Sequence, residues 1–246
     1  MAVEAYNRID FIESDPISIP HGFRSNLDKE VAGLMTALIS WGNRKAIIGT
    51  ARRWMECMDQ SPYEFVREAS TTEIKQLAKH IYRTLNEEDI QTLIGLLRLV
   101  YESYPSLEDC FIPGFEKGFA KEGIIAFRQL FLKPTHPKRF EKHVANPNEG
   151  SAAKRINMFL RWMVRKDAQG VDFGIWNKIP MSKLSIPLDV HSGNTARDLG
   201  LLIRATDDAR AVEELDRHLR LLDPNDPVKY DFALFGLGVN NKKPII

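Results

Sequence analysis

The apolar residues of this chain recur at intervals of three and four, and that spacing constrains its fold more than any other feature. Val31, Leu34, Met35, Leu38 and Ile39 fall at i, i+3, i+4, i+7 and i+8, the stripe that an α-helix turns toward a core. Ile47, Ile48, Ala51, Met55 and Met58 repeat the pattern, as do Leu93, Leu96, Leu97, Val100 and Tyr101. Ile156, Phe159, Leu160, Met163 and Val164 form a fourth, strongly periodic stripe. Further helices are predicted near 61–69, 72–83, 106–118, 120–132, 190–200, 206–221 and 227–236. No long stretch alternates with period two, and no Asn-Gly or Asp-Gly turn joins β-branched runs. The expected class is therefore all-α.

Punctuation divides the chain. Pro134, Pro137, Pro147 and Gly150 break the segment 133–150, and Gly170, Gly174, Pro180 and Pro187 break 167–187. The expected organisation is one unit of two helical lobes, about 1–135 and about 136–246. Asn26 or Asp28 is the expected cap of the first strong helix, and Gly42 its expected end. The tail 240–246 carries no site pattern.

Composition excludes several classes. No run of about 18 apolar residues is present, so no membrane span is expected. The first residues, Met1 to Tyr6, lack the basic and apolar regions of a secretory signal. The only cysteines, Cys57 and Cys110, give neither a disulfide framework nor zinc spacing, and cannot supply the four thiolates of an iron–sulfur cluster. A reducing, cytoplasmic setting is expected, with no metal and no cofactor. A monomer is expected.

The net charge is +1, so steering by the whole molecule is weak and any anion site must be local. Between Lys133 and Lys166, nine basic residues stand against Glu141 and Glu149 alone. Arg44, Lys45, Arg52 and Arg53 make a smaller cluster. Such asymmetry suits a face presented to an anionic polymer, although basic runs are more often solvated helix faces. In the helix from Ser151, Lys154, Met158, Arg161, Trp162 and Arg165 lie opposite the apolar stripe. A loop through Pro147 and Gly150 leads into it, and loop amides at a helix start suit a phosphate oxygen. Lys154 falls in its first turn.

The second constellation is Pro187-Leu188-Asp189-Val190-His191, followed by Ala196-Arg197-Asp198-Leu199-Gly200-Leu201. The rigid entry delivers Asp189 to a helix start, where an aspartate is an N-cap. Asp189 and His191 could pair on a metal, but no third ligand has readable spacing.

These strings resemble the "P-V-D-T-H…R-L-G-L" segment of the helix-hairpin-helix DNA glycosylases. Residues 30–40, Glu30 to Ser40, are similar to that superfamily's early "E-L-L-I-A-V-L-L-S" helix. Gly150-Ser151-Ala152-Ala153-Lys154-Arg155-Ile156 resembles the second helix of its hairpin. The three matches keep the family's order over about half of the stretch from Leu27 to Leu202. Within the superfamily, the archaeal 8-oxoguanine glycosylases are nearest in pattern. The chain also resembles a bacterial family of conserved proteins with no assigned function, through Leu-Arg-Trp-Met-Val-Arg at 160–165 and Ile-Pro-Leu-Asp at 186–189. Besides lacking the iron–sulfur cysteines of that superfamily, it departs from the glycosylases in three places. Residues 143–150 replace the "L-P-G-V-G" hairpin, Trp41 stands where the family has glutamine, and Lys154 and Asp189 lie an unusual 35 positions apart.

The resemblance implies a two-lobed helical bundle and a base-excision enzyme acting on double-stranded DNA. Asp189 would stabilise positive charge on the sugar, and Lys154 would attack C1′ to form a Schiff base. A damaged base, with oxidised purines foremost, would be flipped out. Trp41, Trp162, Phe173, Trp176 and His191 are the candidate substrate contacts. Lys142, Gly150, Ser151, Arg155 and Arg161 are the candidate contacts to the DNA backbone. Two other readings stay open: a non-catalytic nucleic-acid-binding protein on the same scaffold, and a helical protein-interaction or small-molecule protein with an incidental basic face.

Overall fold

The computed structural model describes residues 2–239; the tail 240–246 lies outside them. Three short helices, α1 (Ala2–Tyr6), α2 (Asp10–Glu13) and α3 (Ser18–His21), lead into α4 (Asn26–Ile39) and α5 (Arg44–Cys57). There follow α6 (Pro62–Glu68), α7 (Thr71–Ala78), α8 (Glu87–Ser103), α9 (Glu108–Phe115) and α10 (Ala120–Phe131). The last four are α11 (Lys154–Val164), α12 (Val190–Asp198), α13 (Ala209–Leu222) and α14 (Tyr230–Val239). Among the described residues the only β-type pairing is an isolated bridge between Tyr82 and Leu85. No described helix is long and apolar enough to cross a membrane.

The helix starts follow side-chain chemistry. Ser25, rather than Asn26 or Asp28, caps α4, its Oγ accepting from the Asp28 amide. Asn43 caps α5 in the same way, and reciprocal capping boxes open α7 at Ser70/Glu73 and α8 at Asn86/Asp89. α4 stops at Ile39, and Gly42 (φ +100°) lies two residues beyond its C-cap, Ser40.

Most of the core is one cluster, built from α3 to α11, reaching Trp176, Ile179 and Leu184 and joined by Val228 and Phe232. A smaller cluster joins Ile186, Leu188, Ala196, Leu215, Leu219 and Leu234. The two clusters are not consecutive stretches of chain, and the Pro-rich break, 133–150, packs into the larger one. The anchor of that segment is Phe140, together with His143, whose Nε2 lies 3.0 Å from Asp89 Oδ2.

α11 is enclosed on both sides, and this overturns the expectation of an exposed basic face. Its apolar stripe lies on α4. The segment 171–176 crosses its C-terminal end, where the amides of Phe173 and Trp176 donate to the carbonyls of Trp162 (2.8 Å) and Met163 (2.9 Å). Arg161 and Arg165 are buried and paired internally. Arg161 meets Asp172 and Asp231, and Arg165 meets Asp167, Asp172 and Asp226. The cost of burying these guanidiniums is offset by carboxylates on several sides.

Candidate active site

Two helix starts set the site. The chain reaches α11 through a 3-10 turn, Pro147–Glu149, and then Gly150 (φ +88°), a conformation that favours glycine. Ala153 follows at φ +49°. An alanine held left-handed costs about 1–2 kcal/mol, so the bend that aims Lys154 is fixed by its surroundings. The Ala153 amide donates to Ser151 Oγ (3.1 Å), and Asn157 Nδ2 donates to the Ala152 carbonyl (3.1 Å).

The other start is α12. Asp189 Oδ1 accepts from the amides of His191 and Ser192, both at 3.0 Å, while the Asp189 amide donates to Ser192 Oγ at 2.9 Å. This capping box occupies Oδ1. Oδ2 lies 3.9 Å from Lys154 Nζ. The lysine and aspartate picked out from the sequence thus meet in space, and both side chains stay partly open, at 30% and 24% exposure.

They face a cleft of about 900 Å³, whose wall includes Asp15, Trp41, Arg44, Asp231 and Phe235. Gly150, Ser151, Arg155 and His191 also line it. Arg155 is held, however: its guanidinium donates to the Leu38 carbonyl. Trp41 is 38% exposed at the rim, with the Arg83 guanidinium 3.9 Å from its ring centroid and its carbonyl held by the Tyr82 hydroxyl (2.9 Å). His191 stands edge-on to Phe235, the ring centroids 6.1 Å apart.

Other candidates fall elsewhere. Trp162 is wholly buried in the core and cannot reach a substrate. Trp176 is buried too, its Nε1–H donating to Glu30 (2.8 Å), which also accepts from Tyr101, Ser106 and the Leu107 amide. Phe173 packs on His21, centroids 4.3 Å apart, away from the cleft. Arg161 contributes to the cleft wall but is only 4% exposed and committed to two aspartates, so it is not free to bind a backbone phosphate. Lys142 is exposed, outside the cleft wall.

Three groups had little sequence signal. Asp15 precedes Pro16 and reads as a turn residue. Asp231 and Phe235 sit in a helix whose composition reads as core. Burial pushes the Asp231 carboxyl up to about 6 even though Arg161 beside it favours the charged form. Burial also raises Asp15, against the opposing pull of its bond from the Ile17 amide and of Arg44, Arg161 and Lys154. Among the described residues no group of three or more His, Cys, Asp or Glu side chains is arranged to hold a metal ion.

No curated protein and no solved structure matches the chain. Residues 15–240, nearly its whole length, match the family described as "Protein of unknown function (DUF2400)", and the chain belongs to that family.

Proposed function

We propose that this protein is a DNA glycosylase with abasic-site lyase activity, excising a damaged base, with oxidised purines the first class to test. One observation carries the reading: Lys154 Nζ and Asp189 Oδ2, far apart in sequence, lie 3.9 Å apart at two helix starts on one cleft wall. A nucleophilic amine beside a carboxylate suits chemistry at a sugar carbon. Breaking the glycosidic bond builds positive charge on the sugar, which the Asp189 carboxylate stabilises. Lys154, deprotonated, attacks C1′, and the resulting Schiff base permits strand cleavage.

The target base leaves the stack at a cost of a few kcal/mol, least for a damaged base. Trp41 offers an aromatic face at the cleft mouth, the usual partner for an unstacked base. His191 is a second contact. The loop 150–151 and exposed Lys142 supply backbone contacts, which position the duplex without reading its sequence.

Borohydride trapping tests this on duplexes carrying 8-oxoguanine or an abasic site. A covalent protein–DNA adduct is expected, absent in Lys154→Gln. Salt-sensitive DNA binding without any adduct would favour the non-catalytic binding reading instead.

A further inference from the structure

We propose that Asp15 is a further catalytic residue of this cleft: its carboxylic acid gives a proton to a ring nitrogen of a departing purine. The inference rests on the glycosylase reading above and names the chemical class of the leaving base. Asp15 is only 8% exposed, yet it forms part of the cleft wall shared with Lys154 and Asp189. Its Oδ1 accepts from the Ile17 amide at 3.1 Å. No hydrogen bond or ion pair to another described side chain engages Oδ2. A carboxyl so deeply set on the cleft wall, with one oxygen committed to backbone and the other without a side-chain partner among the described residues, is held in place and still has a group to offer a ligand.

Its surroundings favour the protonated acid over the carboxylate. Burial disfavours the carboxylate, and this outweighs Arg44 from α5 and Lys154 and Arg161 from α11. The carboxyls of Asp189, Asp207 and Asp231 and the ring of His191 share the same cleft.

The step balances without an oxidant or reductant. The C1′–N9 bond breaks and its electron pair passes to the purine, one of whose free ring nitrogens takes the Asp15 proton: N7 or N3 in hypoxanthine, N3 in 8-oxoguanine, whose N7 already carries hydrogen. Lys154 Nζ forms the new bond to C1′ and releases its excess proton to the Asp189 carboxylate. Water restores the Asp15 proton afterwards. A purine has ring nitrogens beside N9 that can take this proton, and protonating a leaving group is the role of a buried acid in glycosidic cleavage. A base already cationic, such as 7-methylguanine, needs no such help.

The test compares three duplexes, carrying hypoxanthine, 7-methylguanine or an abasic site, with wild-type protein and Asp15→Asn. Asparagine keeps an oxygen for the Ile17 amide, so the fold is expected to persist, and the melting temperature checks this. In Asp15→Asn the ratio of hypoxanthine excision to abasic-site trapping is expected to fall about 10²–10⁴-fold, the usual worth of a general acid. The ratio for 7-methylguanine is expected to hold within a few fold. Wild-type hypoxanthine excision should also decline as pH rises, and the variant should lose that decline. An equal loss on all three duplexes, an undiminished hypoxanthine ratio, or wild-type trapping without excision of any purine would each overturn the role of Asp15 alone. No trapping by wild-type protein on the abasic duplex would overturn the lysine reading, and this one with it.

Discussion

Asp189 divides two tasks between two oxygens. Oδ1 caps α12 through the His191 and Ser192 amides, while Oδ2 faces Lys154. The tasks can be separated by substitution. Asn is as good an N-cap as Asp, so Asp189→Asn should leave stability nearly unchanged while base excision falls about 10²–10³-fold, the scale of one lost electrostatic stabiliser. Asp189→Ala should lose the same activity and about 1 kcal/mol of stability besides. Urea melts beside single-turnover excision check both. Equal stability loss in the two variants would mean that the charge, not the cap, holds the helix. At this scale the sequence was informative where a residue has its own signature: Asp189 follows Pro-Leu, and Lys154 follows a Pro/Gly loop. It misled where exposure had to be inferred. Arg161, Trp162 and Trp176 read as a cleft or surface set, but residues 171–176 cross α11, and Asp231 and Phe232 of α14 close over Arg161. A segment without periodicity gives no sign of what it covers.

At the scale of elements, periodicity located each strong helix within a few residues, because the stripe that marks a helix is also what buries it. The short helices α1 to α3 escaped notice, since a single turn holds too few residues to show a period. Close approaches between helices are written in glycines. α9 and α10 pack so tightly that a Cβ on Gly114 would lie 2.0 Å from the Glu122 carbonyl oxygen and 2.6 Å from Gly123 Cα. Backbone cannot step aside as a side chain can. Gly114→Ala should therefore destabilise the protein by about 1–3 kcal/mol through overpacking, read as a lower urea midpoint with an unchanged m-value. A gain in stability would contradict the packing described.

Across the whole molecule, the two ends of the described chain meet. α1 packs on α14, and Asn7 Nδ2 donates to Asp167 (2.5 Å). The apolar core falls into a larger and a smaller cluster, and α14 contributes to both, through Phe232 and Leu234; Pro and Gly mark where a chain turns, not where it packs. The smaller cluster is entered at Ile186, whose amide donates to Asp216 Oδ1 (3.0 Å). Burial raises the Asp216 carboxyl to about 6, against Arg220 at 3.5 Å. Its folded pKa thus exceeds the ordinary aspartate value of 3.8. The native state then binds the extra proton, and the contribution to stability is full below that lower value and is lost as pH rises through about 6. Asp216→Asn should abolish this loss. The stability difference between variant and wild type should shift in the variant's favour from pH 4 to pH 7, by on the order of 3 kcal/mol at most. A pH-independent difference would place the Asp216 carboxyl in the ordinary carboxylate range.

The central claim is that Lys154 is the nucleophile of the cleft. Its most direct test is to trap the protein on an abasic-site duplex with borohydride, digest the adduct and map the modified lysine by mass spectrometry. The account predicts a single DNA-bearing peptide containing Lys154. An adduct on any other lysine, or none at all, would contradict it.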